Sequence, residues 1–103
     1  MSSFRTEVPH QLGKEQATER LKTFLERVAE RYKDQVSHLD GTWDDHKMDF
    51  SLTTYGFNIK GTLTVEDTRV LLEGTLPFAA LAFRGKIETS IASELERELS
   101  SNS

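Results

Sequence analysis

Between His38 and Leu76 the side chains alternate in four consecutive runs, and this pattern limits the fold more than any other feature of the chain. Leu39, Gly41 and Trp43 point one way, with His38, Asp40 and Thr42 opposite. Met48, Phe50 and Leu52 alternate with Asp49, Ser51 and Thr53. Ile59, Gly61, Leu63 and Val65 alternate with Asn58, Lys60, Thr62 and Thr64. Arg69 to Leu76 then brings Val70, Leu72, Gly74 and Leu76 to the apolar side. A period of two is that of a strand with one face buried. The breaks at Asp44-Asp45-His46, Tyr55-Gly56 and Glu66-Asp67-Thr68 carry turn residues. Four strands joined by short turns make an antiparallel meander with one apolar face, and that face needs a cover.

The flanking segments supply it. Ser3 to Val8 is a short strand with Phe4, Thr6 and Val8 on one side, and Pro9 ends it. From about Gly13 to Tyr32, Ala17, Leu21, Phe24, Leu25, Val28, Ala29 and Tyr32 recur at helical spacing. The opposite face, Glu19, Arg20, Lys22, Glu26, Arg27, Glu30 and Arg31, reads as solvated and laced by pairs such as Lys22–Glu26 and Arg27–Glu30. Lys33 to Ser37 is polar and reads as a loop. Pro77 suits the first turn of a second helix, whose stripe of Leu81, Phe83, Ile87, Ile91, Leu95 and Leu99 runs to the frayed tail 100–103. The predicted fold is a single α+β domain over 1–103 with the order β-α-β-β-β-β-α. Its five-stranded, mostly antiparallel sheet carries both helices on one face. Strand order is left open.

Composition narrows the function. The 103 residues carry 13 Lys plus Arg against 17 Asp plus Glu, a net charge of −4. No basic stripe is present, so nucleic acid is not an expected partner. The absence of cysteine excludes disulfides, thiolate metal sites and cysteine nucleophiles. MSSFRTEVPH has no apolar core of a secretory signal, and the longest apolar stretch, Leu76 to Phe83, is far short of the roughly 20 residues of a membrane span. A cytoplasmic protein is expected.

No catalytic constellation stands out. There is no G-x-S-x-G elbow and no phosphate-binding glycine loop. His10, between a strand and a helix, reads as a junction residue whose ring bonds the backbone or caps the helix, rather than as a ligand or phosphate-facing group. Asp40, Asp44, Asp45 and His46 read as a solvated turn rather than a metal site. No catalytic residue, metal or cofactor is expected. Gly61 and Gly74, inside strands on the apolar face, predict close packing of a helix or a small acyl-chain cavity near Trp43 and Phe50. The segment Phe78-Ala79-Ala80-Leu81-Ala82-Phe83 is apolar all round, yet a helix buries one stripe. Phe78, Leu81 and Phe83 are therefore candidates for a crowded core, a homodimer contact or adhesion to a hydrophobic surface, with Arg84 and Lys86 beside them.

Several of these strings together carry a resemblance. Val8-Pro9-His10-Gln11-Leu12-Gly13 opens a helix; Trp43 precedes a turn and Met48-Asp49-Phe50-Ser51; then come Gly56, Ile59-Lys60-Gly61, Leu63, Val65 and Leu76-Pro77. In this order, from Phe4 to about Leu99, the chain resembles the bacterial polyhydroxyalkanoic acid system proteins. The polar 33–38 loop and the hydrophilic tail depart from a typical member. The resemblance implies a role in making, coating or regulating polyhydroxyalkanoate storage granules and no established catalytic activity; the expected function is therefore non-enzymatic, with a granule or granule-associated protein as partner. It hands over no catalytic residue. The alternative is a carrier that holds a hydroxyacyl or fatty chain between sheet and helices.

Overall fold

The alternating runs form the strands they predict. The computed structural model describes residues 2–54 and 56–100, so Tyr55 of the predicted second turn and 101–103 of the predicted tail lie outside the described residues. The elements are β1 (Ser2–Pro9), α1 (Lys14–Leu21), α2 (Phe24–Arg31), β2 (Val36–Asp44), β3 (Lys47–Thr54), β4 (Phe57–Val65) and β5 (Arg69–Leu76). A 3-10 segment (Phe78–Phe83) and α3 (Arg84–Ser100) follow, so Ser100, expected in the tail, closes the last helix. The five strands form one sheet in the order β1-β5-β4-β3-β2, every neighbour antiparallel. The fold is α+β, as expected. The first strand closes the sheet beside the last, leaving β2 at the opposite edge. β2 begins at Val36 rather than His38, with a bulge between them.

One row of paired residues crosses all five strands: Phe4, Gly74, Gly61, Phe50 and Gly41. A β-carbon on Gly61 would stand 2.8 Å from Phe50 Cζ, and one on Gly74 would stand 2.8 Å from Phe4 Cζ. Each phenyl ring thus takes the place of its partner glycine's missing side chain, and both phenylalanines are buried. The sequence predicted a helix close over these glycines, or a cavity. In the structure, phenyl rings from the sheet itself and neighbouring strand backbone lie nearest to these two glycines. Gly41 does admit a helix: Leu25 of α2 and Met48 fill the place its side chain would take.

The expected first helix is broken at Lys22–Thr23. The Thr23 hydroxyl donates to the Arg20 carbonyl at 3.3 Å, a back-bond that bends helices. The bend is useful. Eighteen residues from Lys14 to Arg31 rise about 27 Å, enough to cross the roughly 19 Å between the edge strands. α1 contacts β4 and α3, while α2 turns onto β2. α3 runs back along β1. Ala17, Leu21 and Phe24 meet Leu95 and Leu99 in the same core as the sheet's inner face.

The charged face of α2 is not simply solvated, as the sequence suggested. Glu94 and Glu98, one turn apart on α3, are buried. Arg31 and the Tyr32 hydroxyl (2.6 Å) bond Glu94, and Arg27 bonds Glu98. Lys22 pairs with Glu19 at 3.4 Å rather than with Glu26.

This packing sets the cost of two substitutions. Gly61→Val should cost about 1–3 kcal/mol in urea unfolding, since the Phe50 ring and the β5 backbone leave no room. Glu94→Ala should cost a similar ~1–3 kcal/mol, because it strands Arg31 and Tyr32 beside the core; Arg31 is 39% exposed, and water lowers the penalty. A loss under about 0.5 kcal/mol at either position contradicts this packing.

Candidate docking surface

The two ends of the sheet differ in chemistry. At one end, turns are bonded into the start of α1. The His10 backbone N–H donates to the Thr68 carbonyl at 2.9 Å. The Leu12 N–H donates to His10 Nδ1 at 3.2 Å, so the ring hydrogen sits on Nε2 and goes to the Glu66 carbonyl at 2.8 Å. Asp67 accepts from the Lys14 N–H at 3.3 Å, serving a helix whose own N-cap, Gly13, has no side chain. His46 faces α1 as well. The Thr18 hydroxyl donates to the Lys14 carbonyl, so it accepts from His46 Nδ1–H at 3.1 Å. His46 Nε2 stands 3.0 Å from Glu15 and 3.4 Å from Asp45.

These contacts place the residues singled out from sequence. His10 joins strand to helix through its backbone bonds. Asp40 and Asp44 sit on one strand four residues apart, about 13 Å, and do not converge. Asp45 takes the left-handed turn conformation with φ 58°. Among the described residues, no three His, Asp or Glu side chains are grouped to hold a metal ion. Phe50, Gly61 and Gly74 do come together, but as packed rings and glycines; Trp43 is half-buried against the core. A cleft of about 220 Å³ lies instead between α2 and α3, lined by Phe24, Val28 and the Arg27–Glu98 and Arg31–Glu94 pairs.

The opposite end carries the apolar segment. Leu76 leaves β5 buried, and the chain must turn back sharply for α3 to reach β1. It does so in a 3-10 segment rather than the α-helix expected from Pro77. Pro77, with φ −58° and ψ 150°, stands outside the winding and its carbonyl accepts from the Ala80 N–H at 2.9 Å. The winding turns one small residue fully against the core. Ala80 fills that position and is fully buried. Leu81 is half-buried. Phe78 is left 81% exposed and Phe83 51% exposed, the large apolar side chains that the described chain turns to solvent. The Phe83 ring leans on Phe57, centroids 6.5 Å apart. Ala79, Ala82, Arg84 and Lys86 are exposed around them. The two phenyl groups together present roughly 250 Å².

A stability contrast tests this assignment. Phe78→Ser should shift unfolding by no more than about 0.5 kcal/mol, while Ala80→Leu, forced against the core, should cost about 1–3 kcal/mol. Equal losses at the two positions would return Phe78 to the core.

Comparison with known proteins agrees with this architecture. A solved structure, that of TTHA0849 from Thermus thermophilus, superposes with a TM-score of 0.56 over 95% of this chain and 92% of that one. At 18% identity this likeness shows the fold alone. No curated protein matches the sequence. The profile of the polyhydroxyalkanoic acid system protein family matches residues 5–99, which span every element described above except the ends of β1 and α3, and the chain belongs to that family.

Proposed function

We propose that this chain is a non-enzymatic protein of polyhydroxyalkanoate granule metabolism. It acts by binding the granule, or a protein on it, through the exposed aromatic end of the fold. The observation that carries the reading is Phe78, a phenyl group 81% exposed on a 3-10 segment in which Ala80, two residues on, is fully buried. Burying such a ring against an apolar surface is worth about 1.5–3 kcal/mol. A rigid anchor keeps more of that gain than a flexible one, because less entropy is lost on contact. Membership of the polyhydroxyalkanoic acid system protein family supports the granule as the setting. The non-enzymatic reading is supported by two of the three histidines: the His10 ring nitrogens bond the Glu66 and Leu12 backbone, and those of His46 contact Thr18 and Glu15 of α1.

Co-sedimentation with isolated granules tests the proposal. The wild-type chain should pellet with granules at moderate salt, since apolar contact is weakly screened. Folded Phe78→Asp and Phe83→Asp variants should lose about tenfold or more in binding. Full binding by both folded variants would overturn the assigned surface.

A further inference from the structure

We infer that the surface met by this aromatic end is an anionic phospholipid layer, with the phenyl rings entering the acyl boundary and Arg84 and Lys86 meeting the headgroups. The inference rests on the docking reading above and names the partner of that same site. Three observations carry it.

The first is the placement of charge. Arg84 and Lys86 open α3, whose first turn contains no acidic residue. Among the described residues neither side chain has an ion-pair or hydrogen-bond partner, and both residues are exposed. The nearby acid, Glu88, is used elsewhere: its carboxylate accepts from the Arg5 backbone N–H at 3.0 Å on β1. Two exposed cations without side-chain partners, with the adjacent acid turned away, complement a negative surface.

The second is area. The two rings offer roughly 250 Å², while a stable protein contact buries about 800 Å² on each partner. A second copy of this chain would find too little here. A lipid surface needs no matching contour, and shallow insertion of Phe beside Lys or Arg is the usual interfacial arrangement.

The third is the charge of the whole. The chain carries −4 overall, so a negative surface repels it except through a locally cationic tip. The same charges that attract the tip thereby fix its orientation.

Vesicle flotation tests this against the broader reading. Phosphatidylcholine vesicles are compared with vesicles of equal parts phosphatidylcholine and phosphatidylglycerol, and isolated granules are run in parallel. The wild-type chain should partition at least tenfold better onto the anionic vesicles. Arg84→Glu combined with Lys86→Glu should remove most of that gain, since each cation contributes about fivefold. The milder Arg84→Ala, Lys86→Ala pair serves as a check on folding, since both positions are exposed and alanine favours the helix. Phe78→Ser should weaken binding to both vesicle types. Equal partition onto neutral and anionic vesicles, or undiminished binding by the charge-reversed chain, would overturn the inference. Binding to granules without binding to either vesicle would overturn it while leaving the docking surface intact. Failure on granules and vesicles alike would overturn both.

Discussion

Because Gly61 and Gly74 have no side chains, two phenyl rings can lean over the middle of the sheet where a helix would otherwise have to fill the space. Phe4 and Phe50 come from strands on either side of the glycine pair, so the row ties four strands with apolar contact as well as hydrogen bonds. The remaining glycine of the row, Gly41, lets Leu25 of α2 reach the edge strand. Where the helices can sit depends on this row. α2 is drawn to the β2 edge, α3 runs along β1, and the bent α1–α2 pair spans the sheet between them. The Arg27–Glu98 and Arg31–Glu94 pairs then fasten α2 to α3 across the cleft that remains.

From that placement follows the asymmetry of the molecule. The end with the turns 44–46 and 66–68 is closed by hydrogen bonds: His10 ties the Glu66 carbonyl to the Leu12 N–H ahead of α1, while Asp67 and His46 bond Lys14 and Thr18 of α1. Its polar groups are spent on joining strands to helix. At the other end the chain needs only to carry β5 into α3, and a short 3-10 winding with one small buried residue suffices. Such a winding has too narrow an inner edge to hide six consecutive apolar residues. Phenyl groups are consequently left outside on a backbone that the core fixes through Leu76 and Ala80. The adhesive surface proposed for this family member is thus a consequence of how the fold closes, and Arg84 and Lys86 sharpen it.

Much of the architecture was legible in the sequence, because strict alternation leaves little choice. The inward sets Val70, Leu72, Leu76 and Ile59, Leu63, Val65 are the buried ones. Strand order was not legible, since nothing local tells β1 to pair with β5. The break at Thr23 was hidden because helical spacing of the apolar residues continues through it. Glu94 and Glu98 were overlooked for a related reason. They look like ordinary surface acids until α2 is known to cross above them, although their four-residue spacing matches that of Arg27 and Arg31, which was the available signal. The exposed aromatic end was half legible. Apolar residues on every side of 78–83 require some to be outside, but only the tight winding decides that Phe78 and Phe83 are outside and Ala80 is inside.

Hydrogen–deuterium exchange of the protein, free and bound to isolated granules, bears most directly on whether the fold works by presenting this one end. The account predicts added protection confined to residues 77–87 and the adjoining start of β4. The polar face of the sheet, the His10 and His46 end and the α2–α3 cleft should be unchanged. Protection centred on the open sheet face or on α1 and α2, with 77–87 unaltered, would contradict it.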